Sequence, residues 1–185
     1  YAEIMQGLRS GVRDCSLVPV VCGSSYTGLG TLMLLDFIVD LLPNPLEGVP
    51  ASASNKDGEH EDFIVSQGAV PAAFVFKTMA DQYGKFSFVK VISGSLTPDL
   101  TLVNAASGQN EKLGRLYTMR GKKSEEVKEL GCGDIGAIGK MDRLKTGDTL
   151  CDARKFVKLD PIPFAEPNFS KAIAPKTRGQ EDKIA

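Results

Sequence analysis

The chain has 185 residues, 42% hydrophobic and 24% charged, enough for about one to two domains. That balance excludes a disordered chain and a coiled coil. With 22 Lys and Arg against 23 Asp and Glu the net charge is −1, so any nucleic-acid contact needs a local patch and cannot come from a global field.

No apolar stretch reaches the roughly 18 residues of a membrane-spanning helix, because Asp36 and Asp40 interrupt the longest one. No secretory signal is read at the start either. Cys15, Cys22, Cys132 and Cys151 make no C-x-x-C pair, and His60 is the one histidine. A metal set is therefore not expected, and the cysteines read as reduced thiols of a cytoplasmic protein.

In chain order, Ile4, Met5 and Leu8 stand at helical spacing and predict a short helix that stops at Ser10-Gly11. Residues 17–22 form a near-continuous apolar run, the pattern of a strand covered on both faces, with Pro19 placing it at a sheet edge. After Gly23-Ser24-Ser25-Tyr26-Thr27-Gly28 a second helix is expected through Leu42, ended by Pro43 and Pro45. Its stripe of Leu32, Leu35, Val39 and Leu42 is widened by Met33, Leu34, Phe37 and Leu41, which predicts that it also packs on the downstream strands. Asp36 and Asp40 take its wet side.

Residues 44–67 turn to Pro, Gly, Ser, Asn and acid and read as a linker or exposed loop, with His60 an exposed residue among acids. Strand-like runs then recur at 72–79, 85–92, 101–104, 112–119, 127–130 and 135–139, separated by turn signals such as Ser93-Gly94, Ser107-Gly108 and Gly147-Asp148. Short strands without helices predict an antiparallel barrel or sandwich. Phe74 and Phe76 alternate along one run, Phe86 and Phe88 along the next; a base-stacking platform is one reading of them, barrel core the preferred one. Residues 169–174 are a further candidate strand, and 180–184 read as the start of a helix, so the chain as given reads as an excerpt.

The segment Val70-Pro71-Ala72-Ala73-Phe74-Val75-Phe76-Lys77, followed by Gly84-Lys85-Phe86-Ser87-Phe88-Val89-Lys90-Val91-Ile92-Ser93-Gly94-Ser95-Leu96, resembles the second domain of bacterial elongation factor G. Gly114-Arg115-Leu116-Tyr117, Gly133-Asp134-Ile135-Gly136-Ala137, Thr146-Gly147-Asp148-Thr149-Leu150-Cys151-Asp152 and Ala174-Pro175-Lys176-Thr177 stand in that family's order. Residues 1–43 are similar to the tail of its GTPase (G) domain, with Cys22-Gly23-Ser24-Ser25-Tyr26 at the last guanine-recognition loop.

The resemblance implies a mainly β fold. A closed antiparallel β-barrel of the translation-factor domain II type would cover 68–160. It would be preceded by a partial α/β G-domain remnant (helix, strand, helix) over 1–43 and a linker over 44–67, and followed by a linker and the start of domain III over 161–185. Ser25 stands where the family usually has alanine, Pro98-Asp99 where it has a Gly-Asp turn, and the acidic stretch 57–62 lies outside its core pattern. These departures leave open a ribosomal-protection or release-factor relative.

A GTPase needs a phosphate-cradling Gly-rich loop ending in Lys and Ser or Thr, a magnesium-binding acid and a residue that places the attacking water. None is assembled here. The closest text, Gly131-Cys132-Gly133-Asp134-Ile135-Gly136, lacks the following lysine and hydroxyl and reads as turn geometry. No catalytic residue and no cofactor are expected in this chain; the resemblance implies GTP and magnesium in the parent protein only.

There Gly23, Ser24, Ser25 and Tyr26 would line the guanine edge, since backbone N–H groups at such a turn can donate to its O6. The plain alternative is a strand-to-helix connection in which Ser24 or Thr27 caps the helix. The resemblance further implies that the barrel docks on the small-subunit RNA of the ribosome and couples the remaining G domain to domains III–V. Lys112, Arg115, Arg120, Lys122 and Lys123 are the candidate phosphate contacts, set against a merely solvated loop because Glu125 and Glu126 follow at once. Two competitors make distinct demands: a stand-alone ligand-binding barrel needs a hollow interior, and a hydrolase using Cys22 or Cys132 needs a general base beside the sulfur.

Overall fold

The structure, a computed structural model, describes residues 2–48, 51–63, 66, 70–81, 84–121 and 123–176. Two helices come first, α1 (Ala2–Arg13) and α2 (Thr31–Leu41). Glu3 in the first turn and Arg13 in the last suit the dipole of α1. The helix runs through Ser10-Gly11, where a stop is expected, because a helical glycine costs only about 1 kcal/mol. It ends instead at Arg13, and two residues on Cys15 is held left-handed at φ 57°. Gly11 serves close approach: its carbonyl accepts the Leu17 N–H at 3.0 Å, and an added Cβ would lie 3.1 Å from the Leu17 side chain.

Residues 17–22 are not the covered strand their apolar run predicts. Val18 is 80% and Val20 90% exposed, and among the described residues no strand pairs with this segment. A strand exists only with a neighbour to take its ladder, and apolarity alone does not supply one. Likewise α2 packs on α1 and not on the downstream sheet, burying only Leu41. Asn44 and Glu47 then close a turn in which Glu47 accepts the Asn44 N–H at 3.1 Å and pairs with Arg9 of α1 at 3.0 Å.

The segment expected as a linker contains a hairpin of β1 (Ala51–Ser54) and β2 (His60–Phe63). Asn55 makes the turn, its side chain accepting the N–H groups of Asp57 and Glu59 at 3.0 Å each. His60 is exposed, as expected.

The other strands are β3 (Ala72–Asp81), β4 (Gly84–Ser93), β5 (Thr101–Asn104), β6 (Asn110–Lys112), β7 (Leu116–Arg120), β8 (Lys123–Val127), β9 (Ile135–Gly139), β10 (Thr149–Cys151) and β11 (Lys158–Leu159). Eight of them form one antiparallel sheet in the order β6-β5-β10-β3-β4-β9-β7-β8, and β11-β1-β2 form a small second sheet. The molecule is therefore mainly β, as expected. The pairing order leaves β6 and β8 as terminal strands, yet Leu113 beside β6 and Leu116 of β7 enter the same core. The sheet thus curls around one interior.

The run 112–119 is broken into β6 and β7 at Gly114, where an added Cβ would strike the carbonyl oxygen of Gly139; only glycine lets the chain turn this corner. The strand expected at 127–130 lies at β8 instead, while Leu130 exchanges two hydrogen bonds with Leu96. Residues 169–174 form no strand, with Phe169 78% exposed. The helix start expected at 180–184 lies outside the described residues.

The interior is filled by Ala73, Val75, Val89, Val91, Leu116, Ile138, Leu150 and their neighbours, not by the phenylalanines. Side chains alternate along a strand, so seating the valines inside sends Phe74, Phe86 and Phe88 outside. The barrel-core reading of these phenylalanines is thereby corrected. A bulge at Phe76 shifts the register of β3 against β4. One end of the outer face is sealed by the small sheet, whose Ala53, Phe63 and Leu159 pack with Ala72, Ile92, Cys151 and, at the edge, Phe74.

Candidate functional site

The first candidate is the loop before α2. Its backbone is pinned by the Ser24 N–H to the Leu29 carbonyl and the Gly28 N–H to the Ser24 carbonyl, both 2.9 Å. Ser24 Oγ accepts the Thr27 N–H at 3.3 Å, and Thr27 Oγ1 accepts the Leu29 N–H at 3.4 Å. Ser24 and Thr27 thus brace the loop and do not cap the helix, whose N-cap is the left-handed Gly30 at φ 80°.

Glycine is required at both ends of this loop, because a Cβ on Gly23 would sit 2.8 Å from the Leu29 oxygen and one on Gly30 3.0 Å from the Cys22 oxygen. Among the described residues the N–H groups of Ser25 and Tyr26 have no partner, and Tyr26 is 97% exposed. A recess of about 440 Å³ lies against Val21, Cys22, Gly23, Ser24, Ser25 and Leu29. Gly23, Ser24 and Ser25 thus line the recess, while Tyr26 stands exposed and is not part of its lining.

The second candidate is the basic group on β6 to β8. Lys112 pairs with Asp99 at 2.8 Å, Arg115 with Glu126 at 3.2 Å and Arg120 with Glu125 at 2.6 Å. Lys123 stands opposite Arg120 in the β7–β8 register and is exposed. Lys122 lies outside the described residues. Each arginine is matched by a cross-strand acid, so the group presents far less net positive charge than its sequence suggests.

The glycine-rich segment turns over 131–134 and enters β9 at Ile135: Asp134 Oδ2 accepts the Gly131 N–H at 2.8 Å and Gly133 is left-handed at φ 89°. Beside it, burial pushes the Cys132 thiol up, and its Sγ donates to the Ile92 carbonyl at 3.4 Å. A thiol held protonated in this way is not an activated nucleophile. The candidate cations read from the sequence omit Lys77 and Lys90, which stand on the outer face among the phenylalanines; the parity that places them there follows the valines.

Residues 71–153 match the family model described as elongation factor G domain 2. Over 184 residues the chain is 37% identical to elongation factor G 1 of Synechocystis sp., a match covering 98% of this chain and 26% of that protein. The crystal structure of a Thermus thermophilus protein superposes with a TM-score of 0.72 at 27% identity, covering 98% of this chain and 25% of that one. Fold and likeness together define a translation elongation factor segment. Its family is elongation factor G, and residues 71–153 are the second domain of that family. The chain spans about a quarter of the length of these relatives.

Proposed function

We propose that this chain is a non-catalytic part of a cytoplasmic ribosomal translocase GTPase, in which domain 2 docks on small-subunit ribosomal RNA and couples the G domain to domains III–V. The observation that carries this reading is the 37% identity to an elongation factor G over 184 residues, which spans the two helices as well as the strands. The strands act as a closed barrel whose filled interior makes it a rigid lever, and its outside meets the partner.

GTP and magnesium belong to the rest of the parent. Gly23, Ser24, Ser25 and Tyr26 contribute one wall of the guanine site there, through backbone N–H groups that donate to the base. The remaining G domain covers the apolar surface of α2 and of residues 17–22. Lys112, Arg115, Arg120, Lys122 and Lys123 face RNA phosphates.

Because three of these cations already hold acids, the docking term they supply is modest, and the test is a slope and not a loss. In the full-length parent, replacing Arg120, Lys122 and Lys123 by alanine lowers the salt dependence of ribosome association measured by co-sedimentation. An unchanged salt slope removes this patch from the interface.

A further inference from the structure

The open half of the outer sheet face is aromatic. Register sets Phe88 opposite Lys77 and Ala137, Phe86 opposite Met79 and Gly139, Tyr117 opposite Ala137 and Lys90 opposite Ile135, so these side chains share one face. The bulged Phe76 joins them, its ring centroid 6.3 Å from that of Phe88. Phe86 meets Tyr117 edge-on at 5.6 Å, above Gly139, where an added Cβ would lie 3.1 Å from the Tyr117 ring.

The four rings are half-buried, and Met79 and Ile135 beside them are 47% and 61% exposed. The small sheet seals the far end of this face, at Ile92 and Ala72, and leaves this end open.

Its charge is as informative as its rings. Lys77 and Lys90 are exposed, and among the described residues neither makes an ion pair or a side-chain hydrogen bond, unlike Lys112, Arg115 and Arg120. An apolar protein partner would bury two unpaired ammonium groups here, which is unfavourable. A ligand with flat π faces and negative charge between them answers both features.

We propose that this face binds single-stranded nucleic acid, with bases stacked on Phe76, Phe86, Phe88 and Tyr117 and phosphates held by Lys77 and Lys90. A duplex keeps its base faces inside its own stack and cannot use the rings. At Tyr117 the site borders the basic group, since Glu126 stands opposite this ring in the β7–β8 register and holds Arg115 in an ion pair, but the proposal does not rest on ribosome docking, since its probe is a free oligonucleotide.

The test is fluorescence anisotropy of labelled oligo(A) and oligo(U) of about 12 nucleotides with the whole chain, beside an RNA duplex of equal length and oligo-glutamate as a charge-only competitor. The single strands bind more tightly than the duplex, and oligo-glutamate competes poorly. Phe86→Leu with Phe88→Leu keeps apolar bulk, removes the π faces and weakens binding by at least about fivefold. Lys77→Gln with Lys90→Gln, at exposed positions that spare the core, lowers the log–log salt slope by about 1.4. Equal binding of duplex and single strand, equal competition by oligo-glutamate, binding unmoved in the lysine variant, or affinity unmoved in a leucine variant that keeps its circular dichroism would each overturn the proposal. Should the leucine variant unfold, the lysine variant and the duplex comparison decide.

Discussion

The strands and α2 are built from equally apolar text and meet opposite fates. Val75, Val89, Val91 and Leu150 are 0% exposed, whereas in α2 Leu32 is 77%, Met33 68% and Val39 75% exposed, and Leu41 alone is buried. The difference lies in cover. The central strands of the main sheet face an interior filled by their own neighbours, while among the described residues α2 packs mainly on α1. An apolar face therefore records how much surface asks to be buried, not which element buries it.

The largest effect that would break this comparison is a core truncation. Leu150→Ala is expected to cost about 2 to 5 kcal/mol in urea unfolding, whereas Leu32→Ala stays within about 0.5 kcal/mol. Similar values for the two would mean that α2 is buried after all. Next comes the corner at Gly114: alanine there forces the Gly139 carbonyl aside and is expected to destabilise by about 2 kcal/mol or more, with faster hydrogen exchange in β7 and β9. Unchanged exchange in both strands would show that the corner has room.

A smaller effect is carried by pH. The Arg154 side chain, then its backbone N–H, holds the Asp152 carboxyl down to about 2 from 3.8, with the closest contact at 2.7 Å. The native state thus keeps this carboxylate ionised where the unfolded chain takes up a proton. Its contribution is full above about pH 4 and fades as pH falls toward about 2. Asp152→Asn is expected to flatten the acid limb of the stability profile in that window without changing the neutral plateau's slope. A profile as steep as that of the unmodified chain would show that Arg154 finds another partner.

The β architecture was legible because β3, β4, β5 and β9 are long or apolar enough to show alternation between turn signals. Four short strands were not: Thr149-Leu150-Cys151 and Lys158-Leu159 are too brief for any period to appear, and β1 and β2, four residues each, carry the Ser, His and acid of a loop. The side of the sheet that faces inward was misread, because alternation fixes which residues share a face but not which face is the core; large rings bias the guess, and valines won the interior. At the candidate sites, the loop of Gly23 to Tyr26 was singled out by the resemblance of its surroundings; its glycines alone mark only a turn before α2. That acids follow the basic residues at once was legible; which acid meets which arginine was not, since the β7–β8 hairpin decides it.

The finest test asks whether the two regions unfold together. Gly7 lies exposed in the interior of α1, and a Cβ there meets nothing within 4 Å. Gly7→Ala should therefore add only helix propensity, about 0.5 to 1 kcal/mol, read as increased ellipticity at 222 nm and slower exchange in α1. The strand amides of β3 and β4 should not respond. The contacts between the helical part and the sheet run through the turn after α2, where Pro45 lies against Gly133, and α2 itself contributes no strand neighbours of weight. A stabilisation confined to α1 makes the helices a separate cooperative unit. The same gain appearing in β3 and β4 would mean that the Pro45 contact transmits stability, and that α2 is exposed in shape but not independent in energy.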